Sequence, residues 1–230
     1  MEKLAACDVD VVELGVPFSD PLADGVVNQR AAQRALASGT TLAKILRCVS
    51  QIRRRTQIPL VLFSYFNPIH KMGVEAFAKG AAKAGVDGVL ILDAPPEECR
   101  EARAALHRYG LKTILLIAPT TSEQRMTKIC RHADGFVYCV SRTGVTGTQE
   151  SVMREVQNLV RRVKRKSKLP VVVGFGVSKP EHVRAIGQIA DGIVVGSAIV
   201  LAIEKHLDNP VAGVSRLVKS LTKALDRHHG

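Results

Sequence analysis

The sequence has no tryptophan, and aromatic residues make up only 4% of it. Its many basic residues therefore have no interleaved rings on which bases could stack, which argues against a nucleic-acid reader. No stretch is long and apolar enough to span a bilayer, and no low-complexity linker divides the chain, so a single domain covering residues 1–230 is expected. The five cysteines (Cys7, Cys48, Cys99, Cys130 and Cys139) are scattered, with no C-x-x-C spacing. That scatter favours free, mostly buried thiols over a disulfide framework or a metal site. Met1-Glu2-Lys3-Leu4 lacks the charged and then apolar organisation of a secretory signal, so a cytoplasmic protein is expected. No metal cluster and no cofactor-lysine motif is visible.

Acidic residues are also in deficit, 21 against 33 lysines and arginines, for a formal charge of +12. The densest basic run is Arg161, Arg162, Lys164, Arg165, Lys166 and Lys168. It falls on a stretch whose apolar positions (Val152, Val156, Leu159, Val160, Val163) repeat with helical spacing, so the cations read as the solvated face of an amphipathic helix. A positive chain also suits an anionic ligand such as a phosphate ester.

Short, apolar, β-branched runs alternate with helical patterns throughout. Strands are expected at Val9–Leu14, Pro59–Ser64, Val86–Leu92, Lys112–Ile117, Gly135–Val140, Pro170–Gly174 and Gly192–Val195. Helices are expected at Met1–Cys7, Asn28–Ser38, Leu42–Arg55, Gly73–Ala84, Pro96–Tyr109, Ser122–Arg131, Ser151–Lys166, Ala198–His206 and Pro210–His228. One more helix is expected from Ser178-Lys179-Pro180-Glu181, which has the form of a capping box. Strands alternating with helices predict a parallel sheet of right-handed βα units. A Rossmann sheet would carry a glycine fingerprint after its first strand, and none is present. Chemically unusual residues fall instead where strand after strand ends: Glu13, Asn67, Asp93, Tyr138 with Ser141, Phe175 and Ser197. In a (β/α)8 barrel those ends converge on one catalytic face.

Two features stand out. Glu13 ends a strand otherwise apolar enough to be buried on both faces; desolvation there would raise its pKa and make a general acid or base near neutral pH. Gly174-Phe175-Gly176 and Val195-Gly196-Ser197-Ala198 follow the last two strands, the second opening a helix. Glycine lets backbone N–H groups approach an anion and a helix N-terminus favours negative charge, so the pair reads as a phosphate site.

Glu13-Leu14-Gly15-Val16-Pro17-Phe18-Ser19-Asp20-Pro21-Leu22-Ala23-Asp24-Gly25 resembles the signature of the tryptophan synthase alpha subunits. The resemblance continues through Tyr65-Phe66-Asn67-Pro68, Asp93-Ala94-Pro95-Pro96-Glu97-Glu98, Ser141-Arg142-Thr143-Gly144-Val145-Thr146-Gly147, Gly174-Phe175-Gly176 and Gly196-Ser197-Ala198. It implies a TIM barrel and a retro-aldol cleavage of indole-3-glycerol phosphate to indole and glyceraldehyde 3-phosphate. By the same resemblance, Glu13 is the acid/base and Asp24 holds the indole N–H. Tyr138 and Phe175 line the indole pocket, while Gly147, Gly176, Gly196 and Ser197 form the phosphate site. Thr146 lies on a closing loop that contacts Asp93, and Asp20 and Pro21 meet a tryptophan synthase beta subunit in an alpha2-beta2 heterotetramer. No cofactor is implied in this chain, pyridoxal phosphate belonging to the beta partner.

Met1 falls inside what the resemblance marks as the first helix. The expected architecture is therefore a (β/α)8 barrel lacking its first strand and most of its first helix, in keeping with a count of about seven strands where closure needs eight. Two alternatives stay open on the sequence: a stand-alone lyase that releases free indole, and a catalytically dead fragment acting only as a binding partner.

Overall fold

The structure, a computed structural model, describes residues 1–140, 149–174 and 176–225. The chain divides into two compact units, Met1–Ile114 and Leu115–Gly230.

The first unit contains α1 (Glu2–Ala5), β1 (Val12–Gly15), α2 (Val26–Ala37), α3 (Leu42–Ile52), β2 (Leu60–Ser64), α4 (Phe66–Met72), α5 (Val74–Ala84), β3 (Gly88–Ile91), α6 (Arg100–Arg108) and the beginning of β4 (Lys112–Ile117). Its strands pair in parallel and in chain order, β1 with β2, β2 with β3 and β3 with β4. Alternate strand residues point to opposite faces. Val12, Leu60, Leu62, Val89 and Ile91 join Val49, Ile69, Phe77 and Leu106 in one apolar cluster, which identifies their face as the helix-covered one. The opposite face is set by the register Glu13↔Val61↔Gly88 and Gly15↔Phe63↔Leu90. It too is largely apolar, with Val61 and Leu90 buried.

An ionic clasp ties the strand starts to the helix layer. Arg53, just past α3, donates to the carbonyls of Gly85 (2.6 Å) and Ile58 (2.5 Å) and pairs with Asp87. Asp87 also accepts from the backbone N–H of Leu60 at 2.7 Å.

The second unit holds the rest of β4, then α7 (Glu123–His132), β5 (Val137–Val140), α8 (Gln149–Lys164), β6 (Val171–Gly174), α9 (Pro180–Gly187), β7 (Gly192–Val194), α10 (Ser197–Lys205) and α11 (Pro210–Thr222). Pairing is again parallel and sequential from β4 to β7. Leu115, Ile117, Val137, Cys139, Val171 and Val173 pack with Met126, Leu159, Val163 and Ile186 on the helix side. The clasp recurs: Asp191 accepts from Lys164 (2.7 Å) and from the N–H of Val171 (2.9 Å). Sequential parallel pairing in both units is what a βα barrel requires; a doubly wound sheet would reverse its order at a switch point.

Seven strands and most helices lie where the sequence puts them; several ends shift by two or three residues, α11 ends at Thr222, and four further differences follow. First, α1 is a single turn rather than Met1–Cys7. Second, the segment after β2 is a helix, α4, where no element was expected. Its Pro68 sits in the first turn, where no amide hydrogen is required, and it stops at Gly73, which has a φ of 86°. Third, α6 starts at Arg100 rather than Pro96, because 95–99 form a turn in which the N–H groups of Glu98 and Cys99 donate to Pro95 O.

Fourth, Ser178 does not cap α9. Lys179 is the N-cap, with no side-chain cap bond, and Pro180 takes the first helical position. Proline forces its predecessor into extended geometry (Lys179 φ −134°, ψ 152°), which moves the helix start one residue past the serine. By contrast, Ser122 does cap α7, and Gly110 takes a positive φ of 75° after α6.

Candidate active site

Glu13 sits on β1 with hydrophobic Val12 and Leu14 turned to the helices, so its carboxyl lies on the opposite face, level with Val61. The residue as a whole is half-buried, but Oε1 is sealed from solvent and has no hydrogen-bond partner. With no donor to Oε1 among the described residues to offset the loss of hydration, desolvation pushes the Glu13 pKa up to about 7. Such a carboxyl can both give and take a proton near neutral pH.

Asp24 is built differently. The loop after β1 folds back on Tyr65, the residue that follows β2. The Tyr65 hydroxyl donates to Asp24 Oδ2 (3.0 Å) and accepts from the N–H of Ala23 (3.0 Å). Asn28 Nδ2 approaches Asp24 Oδ1 at 3.4 Å, and Gln29 Nε2 donates to the Asp24 carbonyl at 2.8 Å. Phe18 packs on the Tyr65 ring, with centroids 5.2 Å apart. Both carboxylate oxygens of Asp24 thus have a partner.

Asp93, exposed at the end of β3, accepts from the N–H of Phe66 at 2.7 Å. It therefore caps α4 from the neighbouring strand, since α4 has no side-chain cap of its own. Asp20 is exposed and accepts from the Ser19 hydroxyl. Asp24 N–H donates to the carbonyl of Pro21 at 3.0 Å, closing a turn that thrusts Leu22 outward, 93% exposed.

In the second unit Tyr138 lies on the face away from the helices, in register with Leu116 and Val172. A Cβ at position 174 would come within 2.4 Å of its hydroxyl and 2.7 Å of Cε1, so only glycine lets the Tyr138 ring lie where it does. Gly176 takes a φ of 42°, and Gly196 is the N-cap of α10 with Ser197 as the first helical residue. Both Gly196 and Ser197 are exposed, and a Cβ at 196 would meet nothing within 4 Å, so the head of α10 has room for a ligand oxygen. Phe175, Thr146 and Gly147 lie outside the described residues, as does Ser141. Among the described residues no group of three or more His, Cys, Asp or Glu side chains is placed to hold a metal ion, and no helix is long and apolar enough to cross a membrane.

Three residues with a place in this geometry were given no role on sequence alone. Tyr65 and Asn28 orient Asp24, but the Tyr65 bonds join residues 41 and 42 positions apart, which no local pattern displays. Leu22 did carry a signal, as the one large apolar side chain between Asp20 and Asp24.

A family model described as tryptophan synthase alpha chain matches residues 1–228. Curated relatives of that name include one from Opitutus terrae, 49% identical over 90% of this chain and 80% of its own. Another, from Solibacter usitatus, is 45% identical over all of this chain and 85% of its own. Among solved structures, tryptophan synthase subunit alpha from Legionella pneumophila superposes with a TM-score of 0.91 at 37% identity, over 98% of this chain and 85% of that one. A chain described in a study of mutual activation of the tryptophan synthase a2b2 complex from Pyrococcus furiosus gives 0.89 at 39% identity, over 96% of this chain and 90% of that one.

Proposed function

The chain belongs to the tryptophan synthase alpha chain family, and from that premise we propose that it cleaves indole-3-glycerol phosphate to indole and glyceraldehyde 3-phosphate. The observation that carries this reading is Glu13, on the strand face away from the helices, with Oε1 sealed from solvent and a pKa pushed up to about 7. Protonated Glu13 gives its proton to C3 of the indole ring, which places positive charge on the ring nitrogen. Asp24 accepts the indole N–H and stabilises that charge as it develops. Glu13, now a carboxylate, removes the proton of the hydroxyl on the adjacent side-chain carbon. The C–C bond then breaks, its electron pair returns to the ring to give neutral indole, and the carbonyl of glyceraldehyde 3-phosphate forms. The acid has changed to a base within one turnover, and no external oxidant or reductant is needed.

Tyr138 and Phe175 supply an apolar wall for the indole, and the backbone at Gly176, Gly196 and Ser197 takes the phosphate, together with Gly147. Asp93 and Thr146 serve loop closure. All of this acid–base chemistry uses the chain's own side chains, with no cofactor of its own, and pyridoxal phosphate is assigned to the beta partner. The chain works in the cytoplasm; the five free thiols suit a reducing compartment. Indole release from indole-3-glycerol phosphate by the purified chain, with and without a tryptophan synthase beta subunit, tests the whole reading. No release under either condition overturns it.

The partner is a beta subunit in an alpha2-beta2 assembly, as in the complex named for the Pyrococcus furiosus relative. Leu22, exposed beside Asp20 and Pro21, is an anchor of the sort that interfaces bury. Leu22→Asp is expected to weaken association with the beta subunit by about 10-fold or more. Indole release by the isolated chain should stay within a few-fold of wild type. Titration of beta subunit against both proteins checks this, and unchanged affinity removes Leu22 from the interface.

For the phosphate site, Gly196→Leu is the discriminating change. Its backbone (φ −102°) accepts a side chain and there is open space around it, so folding should be kept while the approach to the α10 N-terminus is blocked. Glycerol phosphate affinity should fall by about 10-fold or more, with little change for indole alone. Calorimetry with each ligand distinguishes this from a folding defect, which would weaken both.

A further inference from the structure

Tyr65 takes no direct part in the proton transfers above, yet it is among the most firmly placed side chains of the first unit. It is 4% exposed, its carbonyl accepts from the buried Ser64 hydroxyl at 2.8 Å, and the next N–H, that of Phe66, is held by Asp93 at 2.7 Å. From this fixed base its hydroxyl makes two bonds to the loop after β1, accepting from Ala23 N–H and donating to Asp24 Oδ2. Among the described residues no other side chain holds that carboxylate so closely: Asn28 reaches the other oxygen only at 3.4 Å. Gln29 binds the Asp24 backbone carbonyl instead.

We infer that Tyr65 is a positioning residue for the cleavage reaction, its hydroxyl bridging Ala23 and Asp24 so that the Asp24 carboxylate is aimed before substrate arrives. This rests on the reading of Asp24 as the group that meets the indole N–H. A phenol that accepts one backbone N–H must point its own hydrogen elsewhere, and the acceptor it meets is Asp24 Oδ2. The bridge therefore has a fixed polarity. Burial, with the Asp24 charge adding to it, pushes the Tyr65 pKa up to about 12, so the hydroxyl keeps its hydrogen at every pH at which the reaction would be run. Asn28 Oδ1 is buried without a partner beside the same carboxylate. The amide has thus given up one of its own hydrogen bonds to lie at Asp24, as expected where orientation of the acid outweighs local satisfaction.

The test is a double-mutant cycle on the full chain with Tyr65→Phe, Asp24→Asn and the pair, read as kcat and KM for indole-3-glycerol phosphate. Tyr65→Phe keeps the ring and its packing on Phe18 but removes the bridge. We expect kcat to fall about 10- to 100-fold with KM nearly unchanged, the span set by loss of a hydrogen bond to a charged group. On an Asp24→Asn background the same change should have almost no further effect. Amide exchange gives a second readout independent of activity: Ala23 N–H should exchange faster in Tyr65→Phe and keep its wild-type protection in Asp24→Asn.

Additive losses in the cycle would show that Tyr65 acts apart from Asp24 and overturn the inference. So would a Tyr65→Phe protein with wild-type kcat, or one in which Ala23 exchange does not change. If Asp24→Asn itself cleaves at the wild-type rate, the role of Asp24 fails first and this inference falls with it. That outcome is distinguishable from an inert Tyr65→Phe beside an inactive Asp24→Asn.

Discussion

Glu13→Gln is expected to lower kcat for indole release by at least about 100-fold while leaving substrate binding largely intact. Glutamine keeps the volume and much of the polarity of the side chain, but it has no proton to give to the indole carbon and no carboxylate to take one back from the hydroxyl. Both proton transfers are lost through one atom. Binding should survive because phosphate and indole are assigned to other residues. In the wild-type chain kcat/KM should fall on the alkaline side with an apparent midpoint near the Glu13 pKa of about 7, since only the protonated form starts the reaction. That limb should vanish from whatever residual activity the variant has. Steady-state rates across pH 6–9 check both arms, and near-normal turnover by Glu13→Gln would remove Glu13 from the chemistry.

Glu13 could be picked out in the sequence because an acid at the end of an apolar β-branched run is out of place there. Its neutrality near pH 7 could not, because that depends on what surrounds Oε1. Sequence shows that Val61 and Leu90 are apolar; only the register puts Val61 beside Glu13, whose Oε1 meets no donor among the described residues. Strand order was readable for a related reason: each strand is a short apolar run, and successive βα units pair with their neighbours, so little long-range information was needed.

Where the sequence misled, the deciding contact came from elsewhere in the chain. No helix was expected over Phe66-Asn67-Pro68, yet α4 forms there, with Asp93, 27 positions on, supplying its cap. Ser178 and Glu181 have capping-box spacing, yet Pro180 overrides it by fixing the residue before it. Gly174 is similar: a glycine at a strand end suggests a backbone approach to a ligand, and here it also makes room for the Tyr138 ring. The site thus divides into residues marked by being chemically odd for their position, such as Glu13, and residues such as Tyr65 whose role is defined only by what the fold brings to them.

The same burial that equips Glu13 for proton transfer should make it a source of pH-dependent instability. Its pKa is raised from an ordinary 4.5 to about 7 in the folded chain. The native state therefore binds a proton that the unfolded state has already lost between those values. Stability from this group is fully present below pH 4.5 and is lost as pH rises through 7. At 1.36 kcal/mol for each unit of displacement, the loss amounts to at most about 3 kcal/mol, a large share of the ~5–15 kcal/mol that holds a typical domain together.

Glu13→Gln has no such proton. Relative to wild type, its unfolding free energy should improve by about 2–3 kcal/mol between pH 5 and pH 8, whatever fixed offset the buried amide introduces. The other shifted carboxyls act in the opposite sense. Asp191, desolvated but outweighed by Lys164 and the Val171 N–H, is held low, as is Glu123 by Lys166 and Arg162 at about 2. Their contributions are lost as pH falls, but they are common to both proteins and cancel in the difference. Urea unfolding of wild type and variant, followed by circular dichroism at pH 5, 6, 7 and 8, measures that difference directly. A difference that stays flat across the series would mean that Glu13 titrates as an ordinary carboxyl, and the buried acid assigned to the reaction would not exist.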